Sequence, residues 1–293
     1  MSAAVETDEF VAGAGDGHAW RLLARIPAHP RRALLWLPAL GVAARHYLPF
    51  AEALAARGVA VFLHEWRGNG SSSLRAGGGR DWGYRELLLQ DVPASQAVID
   101  PLLPAGAPRT LGGHSLGGQL ACCRLALAPG AADALWLVAS GAPYWRAFPM
   151  PHKALLPFAY RFLPWLARVN GVLPGRRLGF GGNEAAGLIQ DWARTAISGR
   201  YAARGVDQDL EAGLARLALP VRAMAMPRDW MAPMSSLAFL LAKMPAADVR
   251  RIRLEADAAG VRHDHFSWMA QPSAVADWLA DETRAPAPQP ASA

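Results

Sequence analysis

Short, uninterrupted apolar runs constrain this chain more than any other feature. Ala33 to Leu37, Val59 to Leu63 and Ala134 to Val138 are each five residues long and uncharged. They are too short for ordinary helices and apolar at every position, so both faces of each must be covered. Val221 to Met226 and Arg250 to Glu255 read as two further strands, and another ends at Gly113. Between them, helical spacing is carried by Arg45 to Arg57, which stops at Gly58, by about Tyr84 to Leu103, by Leu116 to Ala128 and by the region Leu237 to Met244. A hairpin opens the chain: Glu9 to Ala12 and His18 to Ile26 flank a turn in which Asp16-Gly17 supplies positive φ. Strands alternating with helices imply an α/β fold, a mostly parallel sheet of about eight strands with helices on both faces.

The alternation breaks between Ala142 and about Arg216. A helical cap inserted between the sixth and seventh strands accounts for the break, because loops at one end of such a sheet build binding surfaces. The expected division is core 1–141, cap 142–216, core 217–284 and a disordered Pro/Ala tail 285–293. From Ala142 to Asn183 there are six Lys or Arg, eight aromatic residues and no Asp or Glu. Leu155, Phe158, Ala159, Phe162 and Leu166 recur at three- and four-residue steps, which predicts a helix with that face on the core and Arg161 and Arg168 away from it. Pro157 and Pro164 should limit or kink it. Trp145, Phe158, Phe162 and Trp230 are the candidates for holding an apolar acyl or aromatic group, with a nearby arginine for an anionic head.

The formal charge of +6 does not point to nucleic acid. Of 30 basic residues 28 are arginine, scattered along the chain, and neither zinc-finger spacing nor a basic-aromatic recognition motif accompanies them. No basic segment leads into an apolar one at the N-terminus and no apolar run approaches bilayer length, so a cytoplasmic protein without a membrane span is expected. Cys122 and Cys123 are neighbours on a helix, where side chains diverge, and are expected to be buried, reduced thiols. No metal and no cofactor is called for.

Chemistry concentrates in Leu111-Gly112-Gly113-His114-Ser115-Leu116-Gly117-Gly118. A serine attacks a carbonyl only if it is exposed, held rigidly and near a base. A sharp strand-to-helix turn satisfies the first two conditions, provided the residues two before and two after are small. Gly113 and Gly117 meet that requirement, giving G-x-S-x-G at the end of a strand and the start of a helix. Chance supplies roughly 0.1 such matches at this composition, so context carries the argument. A phosphate-binding glycine loop is disfavoured, because the P-loop lysine is missing and there is no G-x-G-x-x-G here.

On these residues the chain resembles the α/β-hydrolase superfamily over nearly its whole length. It looks most like the largely uncharacterised bacterial hydrolases of the serine aminopeptidase and lysophospholipase branch. Leu37-Pro38-Ala39-Leu40-Gly41 and Arg67-Gly68-Asn69-Gly70-Ser71-Ser72 match their loops after the third and fourth strands. The resemblance implies a triad in the order nucleophile, acid, base. Ser115 is then the nucleophile, and Asp229, past the strand after the cap and in an Asp-x-x-Ala-Pro setting, is the acid. The base is one of two histidines: His265, followed by Phe266 and Trp268, fits the family spacing better than His263, although Asp264 stands where the family has glycine. Backbone N–H groups of Leu40 and Leu116 would form the oxyanion hole. His114 is expected to pack, and His46 and His64 to be structural. The acid-free stretch 142–183 argues against peptide substrates, whose free amine relatives bind with acidic cap residues. The expected activity is cleavage of a small-molecule carboxylic ester or thioester through an acyl-enzyme. A silent hydrolase fold that binds a ligand or partner, and an acyltransferase with the same triad, stand as alternatives.

Overall fold

The computed structural model describes residues 5–104, 106–255 and 263–281. The tail 285–293 lies outside the described residues, as do Val261 and Arg262 ahead of the two candidate histidines. Strands β1 (Val5–Gly13) and β2 (Ala19–Pro27) form the opening hairpin, followed by β3 (Arg32–Leu37), α1 (Leu48–Ala55) and β4 (Val59–Leu63). A helical stretch comprises α2 (Tyr84–Glu86), a π turn (Leu87–Asp91) and α3 (Val92–Ile99). Then come β5 (Arg109–His114), α4 (Leu116–Leu127) and β6 (Ala134–Val138). The next segment contributes α5 (His152–Asn170), β7 (Val172–Pro174), α6 (Gly175–Leu178), β8 (Asn183–Ala185), α7 (Ala186–Ser198) and α8 (Leu210–Ala215). The chain returns through β9 (Pro220–Ala225), α9 (Met234–Leu241), β10 (Asp248–Arg253) and α10 (Ser273–Ala280).

Eight strands form one sheet in the order β1-β2-β4-β3-β5-β6-β9-β10. Within it only the β1–β2 and β2–β4 pairs are antiparallel, and β7 and β8 form a separate antiparallel pair. The apolar runs divide between the two faces, as alternation requires. Ala33, Leu35, Leu37, Phe62, Leu135 and Leu137 join a core with residues of α3, α4, α8 and α9. Leu34, Trp36, Val61, Leu63, Trp136 and Val138 join a second core with residues of α1 and α10. Strand β5 is less apolar because its neighbours fill its place: a Cβ on Gly112 would lie 3.0 Å from the Trp36 ring and 3.0 Å from the Trp136 carbonyl.

The Arg67 to Ser72 turn, which follows β4, is clamped by a largely buried polar network. Arg67 donates to both oxygens of Asp91 at 2.7 and 2.8 Å and to Asp16 at 2.5 Å. His18 bridges Asp91 (Nδ1, 3.1 Å) and Ser72 (Nε2, 3.0 Å). These are Ser, His and Asp in a triad-like chain, yet His18, Ser72 and Asp91 are all buried, so the arrangement ties the first hairpin to the helical stretch. Asp91 reaches it from the π turn, where Val92 donates to Leu87 five residues back. Pro93 follows and has no N–H to continue an α ladder. His64 is structural, bonded to Ser95 at 2.9 Å and pushed down to about 3 by burial. His46 is exposed on a 3-10 turn.

The prolines do not end the helix after β6, and the expectation for its inward face needs correction. Helix α5 runs through Pro157 and Pro164 as one element of 19 residues. The prolines are seven apart, about two turns, so both lost backbone bonds fall on one side of the helix. Its inward face differs from the expected one at Leu155, Phe158 and Phe162, although Leu166 packs inward as expected. Tyr160 and Ala167 are buried and Leu156 and Leu163 pack on the core, whereas Leu155, Phe158 and Phe162 point outward. The helix carries two apolar stripes, and packing selects the one centred on Tyr160.

Candidate active site

Ser115 sits between β5 and α4 with φ 54° and ψ −119°, a conformation that costs an L-residue on the order of 1–3 kcal/mol. The turn is enforced from both sides. A Cβ on Gly113 would lie 2.3 Å from the Gly117 carbonyl carbon, and one on Gly117 would lie 2.0 Å from the Leu37 oxygen. Both glycines are thus required by close backbone approach. Ser115 N–H donates to the Val138 oxygen, and Ser140 Oγ donates to the Ser115 carbonyl at 2.8 Å, locking the turn to β6 and the residues after it.

Asp229 follows β9 in a turn that it caps itself. Its Oδ1 accepts from Met231 N–H at 2.8 Å and Ala232 N–H at 2.9 Å, and Oδ2 is left to meet His265 Nδ1 at 2.7 Å. His265 Nε2 lies 3.0 Å from Ser115 Oγ. With Asp229 accepting from Nδ1–H, Nε2 carries the free lone pair that faces the hydroxyl. Of the two candidate histidines, only His265 is bonded to Ser115 and Asp229 among the described residues; His263 is buried with no partner for its Nδ1. Asp264, at the family glycine position, accepts from Phe266 and Ser267 N–H groups and so caps the turn that carries His265.

The loop after β3 is fixed by a second histidine. Ala39 N–H donates to the Tyr47 hydroxyl at 2.9 Å, so the single Tyr47 proton goes to His114 Nδ1 at 2.8 Å. Burial, with the neighbouring His265 adding to it, drives His114 far down, which keeps it a neutral acceptor. His114 thus packs and positions the loop. Leu40 and Leu116 both line the cavity at Ser115. Leu116 is the first residue of α4, where N–H groups have no intrahelical acceptor.

The cavity on Ser115 measures about 130 Å³. Phe148, Leu156, Tyr160, Phe180, Trp192, Trp230, Met231 and Phe266 supply most of its walls, Gln119 adds an amide, and none of its lining residues is charged. Of the four apolar candidates, Trp230 lines this cavity. Trp145, Phe158 and Phe162 are not among the lining residues: Trp145 packs on the core, and Phe158 and Phe162 are on the solvent face of α5. The expected arginine is absent from the lining too, because the cations of this segment lie on the outside. Tyr160 and Trp192, which pack edge to face at 4.9 Å, went unrecognised in the sequence. The only signal for Tyr160 was the second stripe of α5, Leu156, Tyr160, Leu163 and Ala167; Trp192, on α7, had none.

Glu184, one residue beyond the acid-free stretch, is also buried, beneath the Leu40–Gly41 loop. It accepts from Gly182 N–H at 2.7 Å, and burial pushes its carboxyl up to about 7. It does not line the Ser115 cavity. Among the described residues no His, Cys, Asp and Glu cluster could hold a metal ion, and no helix is long and apolar enough to cross a membrane.

A model of the family described as "Serine aminopeptidase, S33" matches residues 28–193, more than half of the chain. Among solved structures, a hydrolase from Pseudomonas aeruginosa aligns at TM-score 0.58 with 22% identity, covering 93% of this chain and 97% of that one. A thermophilic esterase from Thermogutta terrifontis aligns at 0.59 with 16% identity over 94% and 96%. A monoacylglycerol lipase from Paleococcus ferrophilus aligns at 0.58 with 15% identity over 94% and 98%. At these identities the structural neighbours speak for the fold alone. No curated protein matches the chain.

Proposed function

The chain belongs to the serine aminopeptidase family of the α/β-hydrolase superfamily and is a serine hydrolase, and on that premise we propose that it cleaves carboxylic esters or thioesters of a compact apolar or aromatic acyl group through an acyl-enzyme on Ser115. Ser115 Oγ attacks the carbonyl carbon while His265 Nε2 takes its proton and Asp229 balances the imidazolium. The Leu40 and Leu116 N–H groups donate to the oxyanion. His265 returns the proton to the departing alcohol or thiol, and a water activated by the same nitrogen then releases the acid and restores Ser115.

The observation that carries this reading is the uncharged, aromatic-walled cavity that ends on a serine bonded to a histidine, which is bonded in turn to an aspartate. An aminopeptidase site needs a carboxylate for the substrate ammonium, since an unpaired charge in such a cavity is costly. No lining residue supplies one. A fluorophosphonate probe tests the nucleophile: the parent protein is labelled, Ser115→Ala is not, and His265→Ala reacts about 10³-fold more slowly or worse. A series of p-nitrophenyl esters beside aminoacyl anilides tests the substrate class, and faster turnover of the anilides overturns it.

A further inference from the structure

The outer stripe of α5 is an exposed apolar face on an otherwise well-packed protein. Leu155, Phe158, Phe162, Trp165 and Val169 repeat at three- and four-residue steps, with exposures from 50% for Phe162 to 76% for Phe158. Large apolar patches of this kind mark interaction surfaces. The inner face of the same helix, Leu156 and Tyr160, walls the Ser115 cavity. His152, the first residue of α5, stacks on Trp230 at 4.9 Å, and Trp230 is both exposed and part of the cavity wall. The start of α5 therefore meets the cavity rim through the His152–Trp230 stack.

Charge decides what such a face meets. The six cations of 142–183 include Lys153, Arg161, Arg168, Arg176 and Arg177, all exposed, and the segment holds no acid to oppose them. On a helical projection Arg161 and Arg168 fall beside the apolar stripe, where long side chains lay their stems on apolar surface and extend their charges outward. A large apolar face bordered by arginines fits the boundary between headgroups and acyl chains of an anionic bilayer. A second copy of this chain would bring the same positive charge to the contact, which opposes self-association.

We propose that α5 docks the protein onto anionic lipid surfaces, with Leu155, Phe158, Phe162, Trp165 and Val169 inserted at the acyl boundary and Arg161 and Arg168 on the headgroups. The proposal stands independently of the substrate assignment, because its test reads binding. In sedimentation with vesicles, the full chain is expected to pellet with phosphatidylcholine containing phosphatidylglycerol and much less with phosphatidylcholine alone. Phe158→Ser combined with Phe162→Ser should weaken partition about ten-fold or more, and Arg161→Glu with Arg168→Glu should abolish the preference for anionic vesicles. Circular dichroism establishes that each variant is folded. A further measurement needs no destabilising change: brominated acyl chains should quench the fluorescence of the parent more than that of Trp165→Phe. Failure of the parent protein to bind either vesicle, or equal quenching of the parent and Trp165→Phe, overturns the proposal. A dimer in sedimentation velocity that Phe158→Ser with Phe162→Ser dissolves assigns the stripe to a second copy instead.

Discussion

Asp229 commits one carboxylate oxygen to two backbone donors and the other to His265, so an amide at this position keeps the turn but presents the wrong group to the imidazole. Asp229→Asn should retain the fold and lose about 10⁴ in kcat on an activated ester, as expected where the carboxylate fixes the tautomer; a loss under ten-fold would remove Asp229 from the proposed mechanism. Glu184 gives a pH dependence of defined sign. Its folded value of about 7 stands above its ordinary 4.5 because burial disfavours the charge. Between those values this carboxyl binds more protons in the folded chain than in the unfolded one, so its contribution to stability is full below about 4.5 and is lost as pH rises through 7, by roughly 3 kcal/mol. Glu184→Gln keeps the acceptor for Gly182 N–H and should flatten that part of the profile, read as Tm between pH 5 and 8. Ser115 could be singled out in the sequence because its turn needs small neighbours, Gly113 and Gly117, whereas Asp229 and His265 followed from the resemblance to the family, through Ala232-Pro233 and through Phe266 with Trp268. Trp192 and Tyr160 have no such signature, since their meeting at the cavity depends on how two helices pack.

The strands were legible because a run apolar at every position has few other uses, and β3, β4 and β6 fall where the pattern put them, with their side chains divided between the two cores. Helix α5 was legible as a helix but not in its orientation, since two apolar stripes satisfy the same period. The turn between β5 and α4 leaves no such choice. A Cβ on Gly117 would meet the Leu37 and Pro38 oxygens at 2.0 and 2.5 Å, and both are backbone atoms on a buried strand end that cannot turn aside. Gly117→Ala should therefore push α4 off β3, costing more than about 3 kcal/mol and lowering fluorophosphonate labelling in proportion, measurable as a fall in Tm beside the parent. Gly41 tests the contact between the loop after β3 and the Gly181-Gly182 turn. With φ 73° and a Cβ position 2.1 Å from Gly182 N, Gly41→Ala should separate the two and reduce turnover, while leaving the Asp229–His265 pair intact.

At the scale of the whole molecule, the two faces of the sheet belong to one cooperative unit only if α4 does not open on its own. This helix holds Cys122 and Cys123, both fully buried, and packs against α8, where a Cβ on Gly213 would lie 2.4 Å from the Ala126 oxygen. Burial pushes the Cys122 thiol up to about 12 and Cys123 further up, with the neighbouring Cys122 adding to it, so the reactive thiolate is suppressed by environment as well as by access. Both belong to the larger core, so a thiol reagent reaches either residue only when that core opens. Labelling of the native protein should accordingly be slow, with both cysteines reacting together and at a rate that follows the population of globally unfolded chains as denaturant rises. Modification in the absence of denaturant, while the circular dichroism of the sheet is unchanged, would instead mean that α4 and α8 separate as a local unit. The rigidity of the Ser115 turn would then derive from β5 and Ser140 rather than from the helix that follows it.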